Sequence, residues 1–228
     1  MLIALIRNYM DGHPVELSRI VILILSSLFV IFVCLPFHEF AHAFTAFKLG
    51  DRTAKYQGRL TLNPLVHIDP IGALMILLLG FGSARPVPVN ARVFKSPKVG
   101  MAITAAAGPA SNLLMAFVFA FLEVGTWALY FHTGQKWIAY VSVFFFYAAW
   151  INISLAIFNL IPIPPLDGSR ILSLFLPERY YFMLMRYEQY SFLLILALWW
   201  LGALDRPLST AIQAVYSGLS FLPNLIFF

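Results

Sequence analysis

From Ile20 to Leu35 the chain carries no charged residue, and this apolar run passes without a loop into the pentapeptide HEFAH, His38 to His42. Such a run needs hydrocarbon around it rather than water. The whole chain agrees: 61% of its residues are hydrophobic and 11% charged, with mean hydropathy +0.84. Soluble domains are roughly 45–50% apolar and about 25% charged. An ionisable residue inside a transmembrane helix costs at least about 2.5–3.5 kcal/mol on insertion scales and is usually functional. His38, Glu39 and His42 place three of them within one turn.

The helical period continues past His42 to Leu49, where Gly50 and Asp51 read as a stop. The spacing therefore predicts one long helix from Leu17 or Ser18 to Leu49, bent at Pro36. Residues 1–16 do not read as a signal peptide, because Asp11, Gly12, His13 and Pro14 break their short apolar run. After the long helix, DRTAKYQGRLTLNPLVHIDP predicts a short hairpin or irregular loop. Ile71–Phe81 is apolar but too short to cross as a helix, and reads as re-entrant or interfacial. Two further spans are expected, from about Val99 to Tyr130 and from Trp137 to about Leu160. The proline-rich IPIPPLDG ends the second abruptly. Leu172–Tyr190 mixes charges with aromatics, Ser191–Leu204 is short and apolar, and Leu208–Phe228 is a weak final segment. The expectation is one multi-pass membrane domain over residues 1–228, with its core at about 18–171 and additional membrane segments over 172–228.

The net charge is +5 and the pI about 9.4. The basic residues sit in short connections, a pattern that orients a membrane protein and does not call for nucleic acid. Lys48, Arg52, Lys55, Arg59, Arg85, Arg92, Lys95 and Lys98 fall between the first helix and the next span, and Arg170 follows the last clear one. Placing these in the cytoplasm brings HEFAH and IPPLDG to the same side of a cell membrane. Cys34 is the only cysteine, so neither an intrachain disulfide nor a thiolate metal cluster can form.

Histidines four apart on a helix project from one face at adjacent turns, so His38 and His42 can reach one zinc ion. In H-E-x-x-H enzymes the intervening glutamate takes the proton of the attacking water, the role expected of Glu39. A catalytic zinc site needs a third protein ligand. Among Asp51, His67, Asp69, Glu123 and Asp167, the best placed is Asp167, because the surrounding prolines and Gly168 break the helix and turn its carboxylate inward. Asn159 either contributes to the active site or stabilises the broken backbone. Asn112 either supports the site or joins helices. His67 and Asp69 form either a structural turn or support for the metal site. A transmembrane substrate must unwind to be cut, and would dock as an extended strand on Arg59–Leu62 or on the proline-rich strip before Asp167.

HEFAH on an early transmembrane helix, with NLIPIPPLDG closing a later one, resembles the site-2 protease family of intramembrane zinc metalloproteases. NPLVHIDPIG, RPVPVN and GPASNLLMA resemble its short bacterial and archaeal members, and the likeness runs from about Phe37 to Ile171. No room exists for an inserted PDZ or CBS domain. The resemblance implies an all-α polytopic fold, with a re-entrant or hairpin segment between the first long helix and the next span. It implies one zinc ion per chain held by His38, His42 and Asp167, with Glu39 as general base and Asn159 close by. Its substrates would be transmembrane segments of other proteins, met in the bilayer. Two other readings stay open: a non-proteolytic membrane protein that binds metal or helices, and a different HExxH membrane metalloprotease with a glutamate as third ligand.

Overall fold

The structure, a computed structural model, describes residues 16–177 and 188–228 together with positions 2, 3 and 10. The readings for residues 1–16 and for Leu172–Tyr190 therefore lie largely outside the described residues. Within them three helices are long and apolar enough to cross a membrane: α1 (Leu17–Lys48), α5 (Pro97–Thr133) and α6 (Lys136–Asn159). Between α1 and α5 lie the short α2 (Thr53–Tyr56), α3 (Pro64–His67) and α4 (Pro70–Leu79). After α6 come α7 (Asp167–Leu172), α8 (Glu188–Trp200) and α9 (Asp205–Phe227). No strand is present among the described residues. The segment after α1 is thus an irregular loop with helical turns, and the hairpin alternative is not realised.

At about 1.5 Å per residue α1 is longer than a hydrocarbon core of about 30 Å. It is interrupted before Pro36, by a π turn at Val30–Cys34 in which the Leu35 N–H reaches back to the Val30 carbonyl. Pro36 has no N–H for the carbonyl four residues earlier, and its ring crowds that turn. The wider turn accommodates both effects just ahead of the histidines.

The core lies where α1, α5 and α6 meet. Val30, Ile31, Cys34 and Leu35 pack against Phe119 and Ala120 of α5 and Ala148, Ala149, Ile151 and Leu155 of α6. The alanines let the backbones approach closely, as membrane packing requires. Ile76 of α4 is fully buried in the same cluster. A helix of ten residues thus sits beside the π turn of α1 without crossing, as a re-entrant element does. The Asp69 side chain caps it by accepting from the Gly72 N–H, and Gly80 ends it at φ 87°. On the outer side Ile212 of α9 packs on Ala116 and Ile153, and the Tyr216 hydroxyl donates to Glu123 at 2.8 Å.

After Gly80 the chain returns as a non-helical segment to Asn90. Its start lies so close to α4 that a Cβ on Gly72 would fall 1.8 Å from the Ser83 carbonyl oxygen. Gly72→Ala is expected to lower the thermal midpoint of the detergent-solubilised protein, since such overpacking costs about 1–3 kcal/mol. Gly218→Ala, on an open stretch of α9 with nothing near its Cβ, is the control, and melting curves of both variants decide the matter.

Candidate metal centre

His38 and His42 occupy adjacent turns of α1, with both side chains buried. Their Nε2 atoms lie 2.9 Å apart. Asp167 Oδ2 comes within 3.4 Å of the first and 3.2 Å of the second. The loop from Leu160 to Leu166 delivers that carboxylate by folding back under the end of α6. A Cβ on Gly168 would fall 2.2 Å from the Leu160 carbonyl oxygen, so the return requires glycine there. Asp167 opens α7 directly after extended Leu166.

The donor set fits a tetrahedral ion. Bonds of about 2.0–2.1 Å set ligand atoms roughly 3.3–3.4 Å apart, close to the spacings seen. His42 Nδ1 lies 2.7 Å from the Thr104 carbonyl, an acceptor, so the proton sits on Nδ1 and Nε2 presents a lone pair. Such a partner on the far nitrogen is what orients a metal-binding histidine. Asp167 Oδ2 is buried and has no hydrogen-bond donor. Lone pairs converging in a dry place need a cation between them. Space for an ion is kept by α5, where a Cβ on Gly108 would fall 2.3 Å from His42 Nε2 and 2.5 Å from His38 Nε2. Only the tertiary crossing shows Gly108 as a wall of the centre.

A cavity of about 220 Å³ opens beside the three groups, lined by Glu39, Asn159 and Arg170 among others. Glu39 is buried and its Oε2 accepts the Val87 N–H at 3.1 Å. The opposite wall is the extended segment Ser83–Val89. Of the two docking stretches expected, Pro165 and Leu166 line the cavity whereas Arg59–Leu62 do not. Asn159 donates through Nδ2 to the Leu155 carbonyl of its own helix.

The remaining expected residues lie elsewhere. Asn112 is fully buried one turn beyond Gly108, with neither amide atom partnered. His67 is wholly buried and pairs with the Thr61 carbonyl through Nε2. Asp69 caps α4. Asp51 ties the turn after α1 through Thr53 and holds the Asn90 N–H at 2.7 Å. Glu123 pairs with Tyr216 and is not in the metal-ligating group.

Comparison with known proteins gives one consistent picture. The family model described as Peptidase family M50 matches residues 26–201. YwhC of Bacillus subtilis, named as a candidate zinc metalloprotease, is 45% identical over 170 residues, covering 73% of this chain and 76% of its own. Rip2 of Mycolicibacterium smegmatis, named likewise, is 29% identical over 198 residues, or 85% of this chain and 73% of its own. MJ0611 of Methanocaldococcus jannaschii, a third so named, is 34% identical over 142 residues, or 60% and 63% of the two chains. No solved structure gives a significant match. Metal analysis of purified variants separates the candidate third ligands: Asp167→Ala should lose bound zinc and Glu123→Ala should keep it, and the reverse would move the ligand to Glu123.

Proposed function

The chain belongs to peptidase family M50, and from that premise we propose that it cuts transmembrane segments of other proteins, within the bilayer or at its edge. As a member of that family it is a zinc metalloprotease with peptide or protein substrates, and its long apolar helices make it a membrane protein. The observation that carries the finer reading is the meeting of His38, His42 and Asp167, beside a cavity containing Glu39, at one end of membrane-length helices. The basic residues flanking that end favour the cytoplasmic side of a multi-pass cell-membrane protein.

In this reading one domain spans residues 1–228, and His38, His42 and Asp167 hold one zinc ion. Bound there, zinc supplies Lewis acidity, making water acidic near neutral pH and polarising the scissile carbonyl. Glu39 accepts the proton of the attacking water on the oxygen that Val87 does not engage, and returns it to the leaving amine. Asn159, on the cavity wall, contacts the substrate backbone near the cut. His67, Asp69 and Asn112 act behind the site, holding loops and helices in place. The substrate helix unwinds locally and lies extended in the cavity along Pro165–Leu166.

The decisive experiment uses a single-span reporter in detergent micelles. Wild type should cleave it and a zinc chelator should stop it. Glu39→Gln should retain zinc yet lose about 10²–10⁴-fold in rate, the range of a general base. A wild-type rate in Glu39→Gln sinks the mechanism, and cuts confined to the reporter's soluble flanks sink the intramembrane assignment.

A further inference from the structure

The segment that forms the facing wall has a restricted set of hydrogen-bonding groups. Pro86 and Pro88 have no N–H, so the Val87 N–H is the only backbone donor from residue 86 to residue 88. That donor goes to Glu39 Oε2 at 3.1 Å. The Pro86 carbonyl belongs to the same peptide unit, and it accepts from Arg59 Nη2 at 3.0 Å. Arg59 Nη2 also donates to the Arg85 carbonyl at 2.8 Å, and Nη1 to the Val66 carbonyl. A peptide unit is planar and rigid. The Pro86–Val87 plane is therefore held at its oxygen by a guanidinium and at its N–H by the glutamate of the cavity. The rest of the segment is fastened further away, by the Arg85 N–H on the His67 carbonyl at 2.8 Å and the Asn90 N–H on Asp51.

We propose that Arg59 is a positioning residue for peptide hydrolysis: by fixing the Pro86–Val87 peptide plane it makes the Val87 N–H aim the Glu39 carboxylate into the cavity. The inference rests on Glu39 acting as the base. A guanidinium suits the task because its fork reaches several carbonyls at once and it stays charged, whereas a lysine offers a single point of attachment. Removing the fork lets the plane rotate, and the carboxylate then loses the one donor that reaches it among the described residues. Misplacement by about 1 Å costs a catalytic group on the order of 100-fold. Substrate contacts along Pro165 and Leu166 do not involve the plane, so the loss belongs in kcat rather than KM.

The test uses the full chain in detergent with the single-span reporter, and the variants Arg59→Lys, Val87→Pro and their combination. Val87→Pro removes the donor without touching Arg59, which covers the case in which changing Arg59 also loosens the loop. Each single variant should keep zinc at the wild-type level and KM within about 2-fold, while kcat falls about 10- to 100-fold. The double variant should be no slower than Val87→Pro alone, because both changes break one connection. Wild-type kcat in either single variant, losses that multiply in the double, or loss of zinc alongside activity would each overturn the proposal. Glu39→Gln separates the failures: if it is dead while Arg59→Lys and Val87→Pro are fully active, only the positioning role falls. If it is active, the base and the positioning role fall together.

Discussion

Two imidazole nitrogens and a carboxylate oxygen, all buried and converging within 3.4 Å of one another, set the terms for everything else in this molecule. To share a cation they must be held a few ångströms apart by elements distant in sequence, α1 and the start of α7. That requirement explains why α5 crosses α1 at a glycine, where any Cβ would occupy the space between the imidazoles and α5. It explains why α5 offers the Thr104 carbonyl to His42, fixing the ring while leaving its other nitrogen bare. It also explains the abrupt end of α6, since a continued helix would carry Asp167 away from the centre.

A peptidase that works in a membrane, as proposed, needs water and exposed backbone where lipid supplies neither. Non-helical backbone survives at membrane depth only when its polar groups are satisfied inside the protein. Here the satisfaction comes from side chains rather than a sheet. Arg59 takes up the Arg85 and Pro86 carbonyls, Glu39 the Val87 N–H and Asp51 the Asn90 N–H, and the prolines reduce the number of donors needing partners. His67 joins in twice, through its ring to Thr61 and through its carbonyl to Arg85. Asp51 and His67 are accordingly buried and Arg59 half-buried, although the sequence around them looks like an ordinary surface loop.

What was legible in the sequence was what depends on near neighbours. The three spans follow from length and apolar content, and the face shared by His38 and His42 follows from helical period. Asp167 was legible because prolines announce a broken helix. The π turn was read as a bend at Pro36, since the sequence shows the cause of strain but not the turn that absorbs it. Gly108 and Thr104 could not be read, because their part depends on where two helices distant in sequence cross. The place of the extended wall could not be read for the same reason: the prolines of RPVPVN signal extended chain, but nothing local says that it lies over Glu39. The His67 ring and the Asp69 carboxylate make their described hydrogen bonds with chain close in sequence, Thr61 and Gly72.

The cavity therefore has walls of two kinds. One is built from α1, α5 and α6, whose interlocked alanines and branched side chains leave little freedom to move. The other is a length of extended chain held by a handful of hydrogen bonds, two of which bear on a single peptide unit. If a substrate strand is to lie between them, the second wall is the one that can yield, because breaking a few hydrogen bonds is easier than separating packed helices. Yet that wall also touches the glutamate. A wall that shifted on substrate entry would disturb the base unless something outside the cavity kept the peptide plane fixed, and the only side chain among the described residues that reaches the carbonyl face of that plane is Arg59. Access for the substrate and aim of the base thus meet in one short segment, and the guanidinium beyond it keeps the first from disturbing the second.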